Sequence, residues 1–260
     1  MKFTLITGAS SGIGLELSRE CARLGRNVLM VSLPGEDLCE KADVIAEDSG
    51  VITDAIEIDL TDHKAPEQIH SWVVKNNYQV DFLINNAGFG GAGVFAEHSA
   101  NYVKSMIDLN VRATTLMQQQ FIPDLIRNKP SFLMNTASIM AGVSAPYKAM
   151  YSATKTYVKN LTIALSYELE TEGVSVSVLL PGATPTNPVV TDQIKKGNFA
   201  ARVSVMSPSE VARIGIAKAL IGKRVITTGF KNSLVLGLIN IIPRAIVAQI
   251  AVNQHHKTNK

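Results

Sequence analysis

The 260-residue chain predicts a single α/β domain, a doubly wound parallel sheet of about seven strands with helices on both faces. Three observations predict it. Short apolar runs of strand length alternate with longer amphipathic stretches, and no internal repeat is visible. A glycine-rich turn joins the first run to the first helical pattern, and polar residues collect where the strand runs end. The composition bounds the same answer. With 46% hydrophobic and 18% charged residues, the chain leaves no room for a long disordered tail and suggests extensive burial, including between subunits. A net charge of +3 is spread along the sequence without a basic stripe, which argues against nucleic acid as the main partner. Cys21 and Cys39 match no metal or redox spacing and suggest a reducing compartment. Met1 runs straight into a strand pattern without a signal-like segment, so a cytoplasmic location is expected.

Residues 3–7 read as a short buried strand, followed at once by Gly8-Ala9-Ser10-Ser11-Gly12-Ile13-Gly14 and a helical pattern through Leu15, Leu17, Cys21 and Leu24. Strand, glycine turn and helix suit a phosphate: glycines let the backbone approach, and the helix N-terminus offers N–H groups and a positive dipole end. The spacing is G-x-x-x-G-x-G rather than the ordinary dinucleotide fingerprint G-x-G-x-x-G, and a purely structural turn is the competing reading. Residues 27–32 make a second strand, the place where a dinucleotide fold shows its ribose-reading residue. Ser32 and Leu33 stand at its end, and Glu36 and Asp37 come a turn later behind Pro34-Gly35. An acid at the strand end would accept from ribose hydroxyls and repel a 2′-phosphate, while arginine would do the reverse; neither is there.

A helix is expected over 37–48 and a third strand over 51–58, ending in Asp59-Leu60. Asp59 suits either an adenine amino group or a helix-entry role, with Thr61-Asp62 available to cap the next helix. Residues 80–84 form a fourth strand closing on Asn85-Asn86-Ala87-Gly88 and the small-residue stretch 89–93. Paired asparagines after a strand can tie neighbouring strand ends together, and small residues permit close approach to a ligand. One long helix is expected over 101–127. Asn110 lies inside it, a weak functional flag because asparagine is a poor mid-helix residue unless its amide is used.

Residues 131–136 are the fifth strand, with Ser138 just past its end; 142–150 are a loop into a helix carrying Tyr151 and Lys155. These two lie four positions apart, on one helix face about a turn apart, so an ammonium can sit beside a phenol and lower its pKa from near 10 toward working range. Any amphipathic helix can carry that pair, so the spacing alone does not establish a general acid/base. The loop from Ser138 is long enough to bring its hydroxyl back to Tyr151. Residues 174–180 form a sixth strand stopped by Pro181-Gly182. The irregular stretch with Thr184, Pro185, Thr186 and Pro188, within 182–210, is expected to be a substrate lid, and Pro208-Ser209-Glu210 opens a further helix to Leu220. The extension 230–260 is apolar but interrupted by Asn240, Pro243 and Arg244, which excludes a transmembrane span and leaves a substrate wall, a subunit contact or an interfacial segment open. His255 and His256 are read as solvated, and no metal site is expected.

Taken together and in register, these motifs resemble the classical short-chain dehydrogenases/reductases over nearly the whole chain, with a feel closest to 3-oxoacyl-carrier-protein reductases and hydroxysteroid dehydrogenases. The turn Thr7 to Gly14 resembles the family's cofactor motif, Asp59-Leu60 its adenine contact, Asn85-Asn86-Ala87-Gly88 its sheet-stabilising motif, Ser138 with Tyr151-x-x-x-Lys155 its active site, and Pro181-Gly182 with Thr184 and Thr186 its nicotinamide-side loop. The resemblance implies a Rossmann-type fold and hydride transfer between NAD(P)(H) and a carbonyl or secondary alcohol. It implies that Tyr151 gives the proton in reduction, that Lys155 lowers the tyrosine pKa and holds the nicotinamide ribose, that Ser138 bonds the substrate oxygen, and that Asn110 positions a water linking Lys155 to solvent. It also implies a homodimer or homotetramer built on the long helices, a small-molecule ketone or alcohol as partner, and cofactor contacts at Gly8, Ser10, Ser11, Gly12, Ile13, Gly14, Ser32, Leu33, Asp59, Leu60, Asn86, Ala87, Gly88, Tyr151, Lys155, Pro181, Gly182, Thr184 and Thr186. The chain departs from the family pattern at Ser32 and Leu33, where many members carry aspartate or arginine. The small neutral Ser32 leans the expectation toward NADP(H), since it leaves room for a 2′-phosphate. A non-catalytic NAD(P)-binding sensor or scaffold is the alternative, and a methyltransferase of related fold would give no reason for Tyr151 and Lys155 beside Ser138.

Overall fold

The computed structural model describes residues 1–186, 190–192, 205–241, 248–249 and 252. Seven parallel strands run in the order β3-β2-β1-β4-β5-β6-β7, where β1 is Lys2–Thr7, β2 Asn27–Ser32, β3 Thr53–Glu57, β4 Gln79–Asn85, β5 Ser131–Thr136, β6 Val174–Leu180 and β7 Val225–Thr227. The order reverses direction between β1 and β4. In an open sheet such a switch point leaves a crevice at the strands' C-terminal ends, where ligands bind.

Helices α1 (Gly12–Arg23), α2 (Leu38–Ser49) and α7 (Pro208–Leu220) cover one face, and α3 (Ala65–Lys75), α5 (Thr114–Arg127) and α6 (Ala149–Glu168) the other. The side-chain alternation of a strand serves both faces at once. In β2, Val28 and Met30 join Leu17, Cys21 and Ile216 in one core, while Leu29 and Val31 join Ile69, Met117 and Phe121 in the other. Both faces are apolar because both are covered, so the central strands β1, β2 and β4 read as near-continuous hydrophobic runs, while the edge-side β3, Thr-Asp-Ala-Ile-Glu, does not.

Three details depart from the expectations. The helix expected over 101–127 is α4 (Ala100–Ile107), a π-helical turn at Asp108–Ala113, and then α5; Asn110 lies in the widened turn. Thr61-Asp62 do not begin the next helix: α3 starts at Ala65, and the Asp62 carboxylate accepts from the Lys64 N–H in the turn before it. The seventh strand, β7, is three residues long, too short to show an alternation in sequence. Helix α7 opens on a capping box, with Ser207 and Glu210 each bonding the other's backbone.

Helix α8 (Phe230–Ile241) begins the apolar extension. Asn232 is buried against Gly182, where a Cβ would stand 2.4 Å from its Nδ2, and Leu236 packs against the small core cluster that includes Val178 and Leu180. Phe230 and Leu234 are exposed. Among the described residues no helix is long and apolar enough to cross a membrane. Much of the expected lid (187–189 and 193–204) and of the tail, including His255 and His256, lies outside the described residues.

Candidate active site

The site is built at the switch point from four strand ends. After β1, Gly8 and Gly12 adopt positive φ of 65° and 54°, a region that glycine enters without steric cost. A Cβ on Gly8 would lie 2.9 Å from the Ala87 backbone, one on Gly12 2.8 Å from Thr186, and one on Gly14 1.9 Å from the Gly8 carbonyl oxygen. The turn is therefore a cradle of bare backbone at the N-terminus of α1, and the loop after β6 closes on it. A pyrophosphate fits such a cradle because the approach needs no side chains and the dipole end is positive.

Thr7 ties the cradle to the loop after β4. Its Oγ1 accepts from the N–H groups of Asn86 (3.0 Å) and Ala87 (3.1 Å), while Asn86 Nδ2 donates to the carbonyls of Thr7 and Gly8, both at 3.3 Å. One strand further on, Asn85 Nδ2 donates to Asn135 Oδ1 at 2.9 Å, so the paired asparagines bind adjacent strand ends as their position after a strand suggests.

Ser138, Tyr151 and Lys155 meet beyond β5. Ser138 is buried and hydrogen-bonds Tyr151, which pulls the phenol pKa down, but burial outweighs that and holds it above the ordinary tyrosine value. Lys155 is buried, donates from Nζ to the Thr136 carbonyl at 2.8 Å, and is pushed down to about 8 by burial. The spacing of Tyr151 and Lys155 predicts a lowered phenol pKa; the structure gives the opposite direction. Desolvation penalises phenolate and ammonium alike, and the ammonium is satisfied by a strand carbonyl.

Asn110 is brought to the same place by its π turn. It accepts from Phe89 N–H at 3.0 Å and donates to the Phe89 carbonyl at 2.9 Å and to Thr154 Oγ1 at 3.2 Å. Its Oδ1 and Lys155 Nζ flank Gly88, standing 2.9 and 3.2 Å from where a Cβ would be. The loop 88–90 thus runs between the asparagine and lysine and then over the Tyr151 ring, with a Cβ on Gly90 only 3.2 Å from the ring.

The remaining expected cofactor residues divide. Gly8, Gly12 and Gly14 form the cradle with Asn86, Ala87 and Thr186 packed against it, Gly88 lies between Asn110 and Lys155, and Ser10, Ser11 and Ile13 lead into α1, while Pro181 is buried, Gly182 backs onto Asn232 and Thr184 Oγ1 donates to the Gly182 carbonyl. Ser32 is buried with its hydroxyl on the Leu33 carbonyl, and Leu33 is exposed. Asp59 accepts from Thr61 N–H at 2.8 Å, which is the helix-approach role, while the Leu60 side chain is in the core. Glu36, noted in sequence only as lying past the strand end, carries its carboxylate back to the cradle, where it accepts from Ser10 Oγ. A carboxylate thus stands at the cradle beside the small neutral Ser32 side of the fold, one that the residues at the strand end do not announce. No local pattern signals this, because Ser10 and Glu36 are joined by the fold.

Sequence reasoning also missed the cleft beside Tyr151, a small one of about 30 Å³ lined by Phe95, His98, Tyr102, Met106, Tyr147, Lys148 and Met150. Tyr102 is held by His98 stacked on it at 4.4 Å and by the edge of Phe89 at 5.8 Å. These residues show no spacing in sequence that would pick them out.

Comparison with known proteins agrees with this fold. Residues 2–196 match the family model described as short chain dehydrogenase. The 1-deoxy-11-beta-hydroxypentalenate dehydrogenase of Streptomyces exfoliatus is 34% identical over 185 residues, covering 70% of this chain and 67% of that one. Among solved structures, the bulky-bulky ketone specific alcohol dehydrogenase of Comamonas testosteroni superposes with a TM-score of 0.76 at 27% identity, over 94% of this chain and 96% of that one. A short-chain dehydrogenase from Sphingobium yanoikuyae in complex with NADPH gives 0.78 at 25%, over 94% and 98%. The 3-ketoacyl-(acyl-carrier-protein) reductase of Brucella melitensis complexed with NADH gives 0.73 at 26%, over 89% and 98%.

Proposed function

The chain belongs to the short-chain dehydrogenase family and is an oxidoreductase of alcohol and ketone groups; that being so, we propose that it interconverts an apolar ketone and its secondary alcohol, with Tyr151 as general acid/base. The observation that carries the reading is the meeting of Ser138, Tyr151 and Lys155 beside the glycine cradle. When bound, a nicotinamide dinucleotide supplies or accepts the hydride.

The chain's own residues do the rest. Ser138 and Tyr151 present two hydroxyls to one substrate oxygen, so that the carbonyl is oriented before the proton moves. With its pKa held above the ordinary value, Tyr151 is a phenol at neutral pH, the form that gives a proton to a carbonyl being reduced. Lys155, with a pKa of about 8, is charged at neutral pH and is held by the Thr136 carbonyl, while the Ser138 hydroxyl is the group that favours loss of the Tyr151 proton. Its ammonium is also the group placed to hold ribose hydroxyls, and Asn110 across Gly88 orients the loop beside it. Thr184, Thr186, Pro181 and Gly182 form the nicotinamide side of the crevice. Phe95, Met106 and Met150 put apolar surface beside Tyr151, in a cleft that His98 and Lys148 also line; that apolar surface favours an apolar ketone, and a structural relative is named for bulky-bulky ketones. We further read α5 and α6 as the subunit contact of a homodimer or homotetramer, with Tyr157 and Tyr167 on the exposed face of α6.

A panel of apolar ketones and of sugars, assayed with NADH and NADPH, tests the reading. Reduction of apolar ketones is expected, with kcat for Tyr151→Phe lower by about 10²–10⁴-fold. Efficient reduction of sugars with no turnover of apolar ketones would overturn the substrate class. Undiminished turnover by Tyr151→Phe would overturn the role of the tyrosine.

A further inference from the structure

We propose that Glu36 is the specificity-determining residue for the dinucleotide, reading the adenosine ribose hydroxyls and selecting NAD(H) over NADP(H). This rests on the hydride-transfer reading above and adds a residue that lies beyond the strand end where an acid would be sought. Three observations place it.

The cradle lies against the end of β2, because Ala9 N–H donates to the Val31 carbonyl at 3.1 Å. With a pyrophosphate over the cradle, the adenosine ribose of a dinucleotide falls beside the end of β2, which here is Ser32. Glu36 reaches that point from the next loop and its carboxylate accepts from Ser10 Oγ, a hydroxyl of the cradle itself.

The loop is fixed in this position from both sides. Glu57, at the end of β3, accepts from the N–H groups of Gly35 (3.2 Å) and Leu38 (3.4 Å). Lys41 Nζ donates to the Glu36 carbonyl at 2.5 Å. Gly35 at φ 80° and Asp37 at φ 53° supply the two left-handed turns that swing the loop round. The Glu36 side chain is thus directed inward by its neighbours.

A carboxylate in that place accepts hydrogen bonds from a ribose 2′-hydroxyl, which donates, and repels a 2′-phosphate, which does not. Ser32 offers space but no charge, and its hydroxyl is already used on Leu33. The cation bonded to this loop, Lys41, is turned to a backbone carbonyl. Charge, not room, is what distinguishes the two cofactors here, so NADPH carries a penalty that NADH does not.

The experiment is a binding titration of the full chain and of Glu36→Gln with NADH and with NADPH, read by bound-nicotinamide fluorescence and by the shift in melting temperature. Glutamine keeps the shape and an acceptor oxygen but removes the charge. The expected result is a Kd for NADH at least tenfold below that for NADPH in the parent, with the ratio falling about tenfold in Glu36→Gln, chiefly through tighter NADPH binding. Because the ratio compares two ligands on one protein, a general loss of folding in the variant cancels from it. Tighter binding of NADPH than NADH by the parent, or a ratio unchanged by Glu36→Gln, overturns the role of Glu36 and leaves hydride transfer standing. Binding of neither dinucleotide by the parent overturns both.

Discussion

Lys155 is a buried cation that carries a structural cost. Its pKa of about 8 lies below the ordinary 10.5, so the folded state holds this proton less firmly than the unfolded chain does. The sign follows from that. The penalty is fully present below about pH 8 and shrinks as the pH rises toward 10.5, where the unfolded chain also loses the proton. Lys155→Met is therefore expected to lose turnover while gaining about 1–3 kcal/mol at pH 7, offset in part by the Thr136 carbonyl left without its donor. The gain should fade by pH 9.5. Thermal unfolding of parent and variant at both pH values checks this, and an equal difference at the two would show that Lys155 carries no buried-charge penalty.

At the level of elements, the π turn at Asp108–Ala113 explains how an asparagine is tolerated within a run of helix. An extra residue in one turn breaks the regular backbone ladder and aims a side chain that a straight helix would direct elsewhere. Asn110 uses that freedom to hold both polar groups of Phe89, and so to fix the loop that passes over Tyr151. Asn110→Ala is expected to cost about 2–4 kcal/mol, through lost packing and two backbone groups deprived of their partner. Asn110→Asp should lose less, because it still accepts from Phe89 N–H but no longer donates to the carbonyl. Denaturant melts of the two variants give the comparison. If Asn110→Ala melts with the parent, the loop is held by other contacts.

On the scale of the whole molecule, one buried amide binds the sheet to α5 and to α6, the helix that holds Tyr151 and Lys155. Asn135, fully buried in β5, donates to Gln118 Oε1 on α5 at 2.9 Å and to Thr162 Oγ1 on α6 at 2.8 Å, and accepts from Asn85 on β4. The position of Tyr151 and Lys155 relative to the strand ends depends on this connection. Asn135→Val leaves three buried polar groups short of a partner and is expected to cost about 3–5 kcal/mol. In a domain of this size that lowers Tm by roughly 6–15 °C. A smaller fall, within about 2 °C, would mean that the helices are seated by apolar packing alone.

Much of this architecture was legible in the chain because its signals are local. The ends of β2, β5 and β6 fall at the residues the apolar runs indicate, and α7 begins at the Pro208 that follows its capping serine, since strand length, cap and breaker are each decided within a few residues. The glycine cradle and the tyrosine–lysine pair were legible for the same reason. What the chain could not show arises between segments far apart in sequence. The switch point between β1 and β4, the turning of Lys155 to the Thr136 carbonyl, and the seating of Glu36 on Ser10 are products of packing across the sheet. Spacing along a helix says which side chains share a face; which charge is buried, and against what, is settled only when the layers close and desolvation and hydrogen bonding compete at each site.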